Sequence, residues 1–325
     1  SRLRTRGLLD AGTRLHAEVW LDSEVWLGSF LGTPGARLLT APRRASFADL
    51  DWTVLSTPDV LLRQQLFRAF ATAYLGQTQL TVGRQRIAWG TGFAWNPTDL
   101  LNPFDPAGIE LDEKAGVDAA YVAVPLGAFS RLEGVVAPGR RRAEASAAVR
   151  AGTHVGEYDL SAMAGVFRED VVVGGDFAGY LGNAGVRGEA AYTVAEGRAD
   201  YLRLVLNADY TFGGTYALAE LYYNGTGTRD PDAYDLAALL DGRAFNLAKD
   251  YLAVSAARAV TPLFGAGLYS LVNLDDQSAL AGPSVTYSLA ENLELSAAAY
   301  LFLGASSTEF GAQKNIYFGA LQYYF

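Results

Sequence analysis

Residues 15–27, LHAEVWLDSEVWL, place Leu15, Ala17, Val19, Leu21, Val25 and Leu27 on one face of an extended chain. His16, Glu18, Trp20, Asp22, Glu24 and Trp26 fall on the other. A period of two predicts a strand with one apolar and one polar face. The pattern recurs in RRAEASAAVRAG, where Ala143, Ala145, Ala147 and Val149 oppose Arg142, Glu144, Ser146 and Arg150. In YLRLVLNADYT, Leu202, Leu204, Leu206, Ala208 and Tyr210 oppose Arg203, Asn207, Asp209 and Thr211. In LELSAAAYLFL, Leu293, Leu295, Ala297, Ala299, Leu301 and Leu303 oppose Glu294, Ser296, Tyr300 and Phe302.

Short turn signals separate such segments at 10–13, 152–154, 182–185, 211–214 and 290–292, while longer connections run over 28–58, 91–114 and 227–246. Short turns on one side and long loops on the other are the hairpin asymmetry of a membrane-spanning up-and-down β-barrel. Helical spacing occurs once with conviction, in DPDAYDLAALLDGR, where Asp230 or Asp232 caps a short loop helix near 232–241 that Gly242 ends. A soluble sandwich would alternate too. Here, however, the apolar faces are thin, built of Ala, Leu, Val and Tyr, and no linker divides the 325 residues into the two domains a sandwich would need. The fold predicted is all-β: one transmembrane antiparallel barrel over 1–325, of about 16–18 strands, a size that leaves an aqueous lumen.

Composition narrows the classes. Half of the residues are hydrophobic and only 19% charged, against roughly a quarter in soluble proteins. A formal net charge of −9 argues against a nucleic-acid partner. The chain has no cysteine, which excludes disulfides, thiolate metal sites and cysteine nucleophiles. No run approaches the ~18 apolar residues of a membrane helix, and SRLRTRGLLD lacks the apolar core of a signal peptide. In lipid the remaining solution is a closed sheet.

The final stretch, NIYFGALQYYF, puts Tyr317, Gly319, Leu321, Tyr323 and Phe325 on one face. It resembles the C-terminal strand of bacterial outer-membrane barrel proteins. In that class the terminal aromatic and the alternate apolar residues before it, here Tyr317, Leu321, Tyr323 and Phe325, form the signal read by the barrel-assembly machinery. The resemblance implies an outer-membrane location, contact with lipid and lipopolysaccharide, periplasmic short turns and outward long connections. About 17 strands are countable, and the first and last run the same way. Closure therefore calls for one more, either ahead of Ser1 or supplied by ASFADLDWTVL.

The polar faces carry the candidate chemistry. Inward candidates are Arg2, Arg4, Arg6, Glu18, Asp22, Glu144, Arg150, Glu157, Asp159, Asp176, Arg187, Glu189, Arg203, Asp209, Glu220 and Glu294. Pairing Leu8 with His16 sets Arg6 opposite Glu18 and Arg2 opposite Asp22. A turn at Thr153–His154 sets Arg150 opposite Glu157, with Asp159 close by. Such pairs stabilise a wall at ~0.2–1 kcal/mol each. Facing one another across water, they also select polar solutes.

The most distinctive segment is GRQRIAWGTGFAWNPTDLLNPFDP, residues 83–106. It begins as a strand and enters a loop whose turns are set by Asn96–Pro97, Asn102–Pro103 and Asp105–Pro106. Trp89, Phe93, Trp95, Leu100, Leu101 and Phe104 are too apolar for a solvated loop, so 91–114 is expected either in the lumen or mouth, setting its width, or as a lid on the rim. Arg84, Arg86, Trp89, Trp95, Asn96, Asp99, Asn102 and Asp105 are the constriction candidates. The segment resembles one in a group of little-characterised proteobacterial outer-membrane barrels with a Gly-Arg-Gln strand, a Trp-Gly turn and Asn-Pro-x-Asp. The resemblance covers roughly residues 59–126 and implies fold and location.

His16 and His154 are the only histidines, both near short turns, and no Ser/His/Asp set gathers at the outer loops. Enzymatic chemistry is therefore not expected, and nothing calls for a cofactor. Asp275–Asp276 and Asp112–Glu113 read as solvated loop acids rather than metal ligands. Two functions remain: a channel for small polar solutes or ions, or a plugged barrel serving as a structural subunit of an envelope-spanning complex. The polar face shows neither an aromatic slide nor a one-sign ladder, and its excess of acids suggests mild cation preference. A homo-oligomer is compatible with the sequence.

Overall fold

The structure is a computed structural model describing residues 2–28, 31, 47–101, 116–235 and 246–324. Eighteen strands form one antiparallel sheet. They are β1 Arg2–Ala11, β2 Leu15–Leu27, β3 Asp51–Ser56, β4 Val60–Leu75, β5 Thr78–Gln85, β6 Val117–Pro125, β7 Arg131–Ala137, β8 Ser146–Val155 and β9 Tyr158–Phe167. The remainder are β10 Asp170–Leu181, β11 Ala184–Val194, β12 Tyr201–Phe212, β13 Thr215–Asn224, β14 Asp250–Thr261, β15 Phe264–Asn273, β16 Ala279–Ala290, β17 Leu293–Leu303 and β18 Ile316–Tyr323. The wall ladder runs β1–β2–β4 and then strand by strand to β18, the up-and-down order expected.

Alternation is resolved as lipid face against interior. On β12, Leu204 and Leu206 are 38% and 57% exposed while the alternate residues Val205 and Asn207 are buried. Leu295 on β17 is 45% exposed and Tyr300 buried. Leu204 and Leu295 would be enclosed in a sandwich; instead they stand on an exposed apolar outer face, which only lipid can cover at this extent. The connections after β1, β4, β6, β8, β10, β12, β14 and β16 span two to five residues on one rim.

Several sequence expectations are corrected. Gly12, with φ of 63°, puts the first turn at 12–14, so Leu8 meets Glu18, Arg6 meets Trp20, Arg4 meets Asp22 and Arg2 meets Glu24. The register is thus shifted by two residues from the Leu8–His16 pairing. Gly156, with φ of 66°, supplies the left-handed position that Thr153–His154 lacks, and the turn moves to 156–157. Glu157 then lies exposed in that turn, Arg150 faces Met163, and Asp159 pairs with His154 at the rim. Glu144 is not on a strand: its carboxylate accepts the Arg140 amide (3.1 Å) and the Arg141 guanidinium (2.7 Å), curling the chain into a 3-10 turn before β8. Asp230 caps only the 3-10 turn Pro231–Ala233, accepting the Asp232 amide; residues 236–241, the rest of the expected helix, lie outside the described residues.

ASFADLDWTVL supplies β3, but not at a seam between the first and last strands. It pairs with the outer half of β4, Asp51 with Gln65 and Ser56 with Leu61, while β5 covers only Ala69 to Leu75. β3 therefore occupies the length of wall that β5 leaves vacant. Among the described residues β1 pairs with β2 and β18 with β17.

An arginine at Leu206, near the middle of β12, is expected to lower stability by about 2–4 kcal/mol in denaturant titrations of bilayer-folded protein, whereas isoleucine there should be nearly neutral. Equal stability of the two variants would remove that face from the hydrocarbon.

Candidate functional site

β5 leaves the wall at Gln85 for a reason visible in its backbone. Gly83 has φ of 122°, and a Cβ there would overlap the Ala69 carbonyl and come 2.8 Å from Phe70 Cα on β4. The kink turns Arg84 and Gln85 inward together, both buried. Arg84 then bonds Asp118 (2.8 and 3.0 Å) and the carbonyls of Leu66 (3.1 Å) and Ala48 (2.7 Å). It staples the junction where the wall changes from β5 to β3. Arg86, by contrast, is exposed and lines a cavity of about 360 Å3 together with Arg68, Thr72, Gln85, Trp89 and Glu133.

Residues 86–101 cross the interior. Ile87, Trp89 and Leu101 pack with Val135, Ala148, Met163, Phe167, Val172 and Ala191 of β7 to β11. Ala94 and Trp95 pack with Val205, Tyr222, Tyr251, Leu271 and Tyr300 of β12 to β17. The Trp95 ring stacks on Tyr222 at 5.0 Å, and its Nε1 donates to Asn246 Oδ1 at 3.0 Å. Phe93 meets Tyr269 edge-on at 5.9 Å.

Two carboxylates hold this segment. Glu189 accepts the amides of Thr91, Gly92 (2.5 Å) and Thr98 (3.2 Å) and the Thr98 hydroxyl (2.9 Å). Glu220 accepts the amides of Phe93 (2.5 Å), Ala94 (2.9 Å) and Trp95 (3.0 Å), and Asn207 Nδ2 at 2.8 Å. Asn207 lies on β12 between the two acids' strands, directly opposite Glu220. An ionised carboxylate has about four acceptor positions, enough to serve a whole turn of amides that no ladder satisfies. Gly90, with φ of 89°, is obligatory here: a Cβ would lie 2.6 Å and 2.7 Å from the two Glu189 oxygens. At the Asn96–Pro97 turn the Asp99 amide donates to the Asn96 carbonyl at 3.1 Å, and Asp99 is buried. Asn102 and Asp105 lie outside the described residues.

Most of the other inward candidates form cross-strand pairs along the wall. Arg4 grips Asp22 with two bonds of 2.6 Å, the bidentate geometry a guanidinium favours, and Arg6 bonds Glu18 at 2.5 Å. Arg150 reaches Glu133 (2.9 Å) and Asp176 (3.2 Å), and Arg187 bonds Asp209. Arg203 lies over the Tyr201 ring at 4.9 Å, Glu294 is half-buried opposite Gln322, and Arg2 is exposed opposite Glu24. Glu133, Asp118 and Asn207 are site residues that the sequence reading did not single out. Asn207 stood on the polar face of its strand, but nothing in the alternation separates it from other wall residues. His16 and His154 sit at the short-turn rim, bonded to Asp10 (2.7 Å) and Asp159 (2.9 Å).

No family model matches the chain, and no curated protein matches it. Solved structures do. OccK9 (OpdG) of Pseudomonas aeruginosa superposes with a TM-score of 0.57 at 12% identity, covering 98% of this chain and 90% of that one. A BenF-like porin from Pseudomonas fluorescens Pf-5 gives 0.54 at 12%, covering 99% and 90%. Pseudomonas aeruginosa OpdK, solved with vanillate, gives 0.52 at 10%, covering 99% and 95%. The likeness is one of fold: this chain has the transmembrane β-barrel fold of those porins.

Replacing Glu220 by alanine strands three segment amides, each at about 1–3 kcal/mol. The variant should lose several kcal/mol in denaturant unfolding, and Glu220→Gln, which keeps an acceptor, should lose less. Unaltered unfolding of the alanine variant would refute the clasp.

Proposed function

We propose that this protein is a channel of the bacterial outer membrane that passes small polar solutes or ions through a lumen of mixed charge, narrowed by residues 86–101. The observation that carries the reading is the clasp: Glu189 and Glu220 together take six backbone amides of a segment lying across the interior. A barrel whose inward charges are matched in pairs has a wettable interior without a dominant field, which suits polar solutes of either sign. Arg86, the first residue of the segment, lines the cavity with Arg68 and is placed to meet solute, whereas Arg84 acts as a staple. The resemblance of residues 83–106 to a proteobacterial barrel group fits the same location. Tyr317, Leu321, Tyr323 and Phe325 then serve insertion by the assembly machinery, and lipid and lipopolysaccharide are the partners of the outer face.

Planar-bilayer recording of the purified protein tests the reading. Discrete ohmic steps are expected, with larger steps from a Glu189→Ala, Glu220→Ala double variant. Persistent silence from stably folded protein would favour the structural-subunit alternative. Unchanged step size in the double variant would take residues 86–101 out of the constriction.

A further inference from the structure

Above the clasp, three outer connections meet around one residue. Glu309, between β17 and β18, is 2% exposed. Its Oε1 accepts the Leu247 amide of the β13–β14 connection at 3.2 Å. Its Oε2 accepts the Tyr251 hydroxyl at 2.6 Å and Asn273 Nδ2, at the end of β15, at 2.7 Å. The Glu309 amide donates to Asp276 at 2.8 Å, and the Phe310 amide to Ser278 Oγ at 3.2 Å, both in the β15–β16 connection. The network continues inward, because Asn246, beside Leu247, accepts from Trp95 of the interior segment.

We propose that Glu309 is a proton-operated latch that fastens the outer connections over the mouth of the barrel and, through Asn246, braces the segment beneath. Every group that donates to its carboxylate is neutral. The titratable groups facing it among the described residues are Tyr251, Tyr234 and Asp276, with Asp275 next to them. Arg229 is engaged with Asp250 at 2.7 Å and Asp275 at 3.9 Å. Burial, only partly offset by the hydrogen bonds from Tyr251, Leu247 and Asn273, pushes the Glu309 carboxyl from its ordinary 4.5 up to about 7. An acid raised in this way keeps its proton in the latched state where a released, solvated carboxyl would give it up. The stabilisation is therefore full below about 4.5, is lost progressively as pH rises, and is gone above about 7. The mouth fastens in acid and loosens toward alkaline pH.

The latch is a property of the fold; only its effect on current rests on the channel reading. Hydrogen exchange of the full, detergent-folded chain, with intrinsic rates divided out, reads it directly. Protection of the Leu247 and Phe310 amides should fall at least about tenfold between roughly pH 5.5 and 8, as a shift of more than one unit requires. Glu309→Gln should abolish this pH dependence, and Tyr251→Phe, which removes a donor to the ionised form, should move the midpoint upward. Constant protection in the unmodified protein, or the same pH dependence in Glu309→Gln, would overturn the latch. If exchange responds while bilayers stay silent at every pH, the latch stands and the channel falls.

Discussion

A strand that leaves a sheet inside a membrane strands backbone groups on both sides of the departure, and no water is available to take them. β5 creates this problem when it turns inward at Gln85, and the rest of the site is arranged around its solution. On the wall side, β3 takes over the edge of β4, and the Arg84 guanidinium collects the Leu66 and Ala48 carbonyls at the seam. On the departing side, Glu189 and Glu220 accept the amides that would otherwise have faced a neighbouring strand. A hydrogen-bonded ladder is thus exchanged for two carboxylates and a guanidinium.

That exchange divides the inward acids into two kinds. Asp22, Asp176 and Asp209 neutralise arginines on adjacent strands, with both partners on the same stretch of wall. Glu189 and Glu220 accept from backbone amides and from Thr98 or Asn207, with no arginine among their bonded partners in the described residues. A carboxylate wrapped in amide dipoles presents less field to the lumen than an exposed one. The count of inward acids therefore overstates the charge that a solute meets, and the smaller set that includes Arg86 weighs more.

Much of the wall was legible because a strand's side-chain period is local. The alternation of Leu202 to Tyr210 or of Leu293 to Leu303 needs no partner to be recognised, and the structure keeps each face intact. Registers were less legible. A single left-handed glycine, Gly12 or Gly156, moves a whole hairpin by two residues or more, and both neighbouring frames preserve the alternation. Glu144 and Glu157 kept the right parity but fell beyond the strand ends, where a local turn competes better for the chain than the ladder does.

The sequence by itself determined that this chain is an up-and-down transmembrane sheet with short turns on one rim, and that the Trp-Gly and Asn-Pro stretch is unlike the other connections. Those properties follow from residue type at neighbouring positions. Tertiary structure alone decided that Glu189 and Glu220 serve a segment about a hundred residues earlier, that β3 repairs the wall beside β4, and that Glu309 gathers three connections. Each of these depends on which backbone groups lack a partner after the sheet has formed, and a linear pattern holds no record of that.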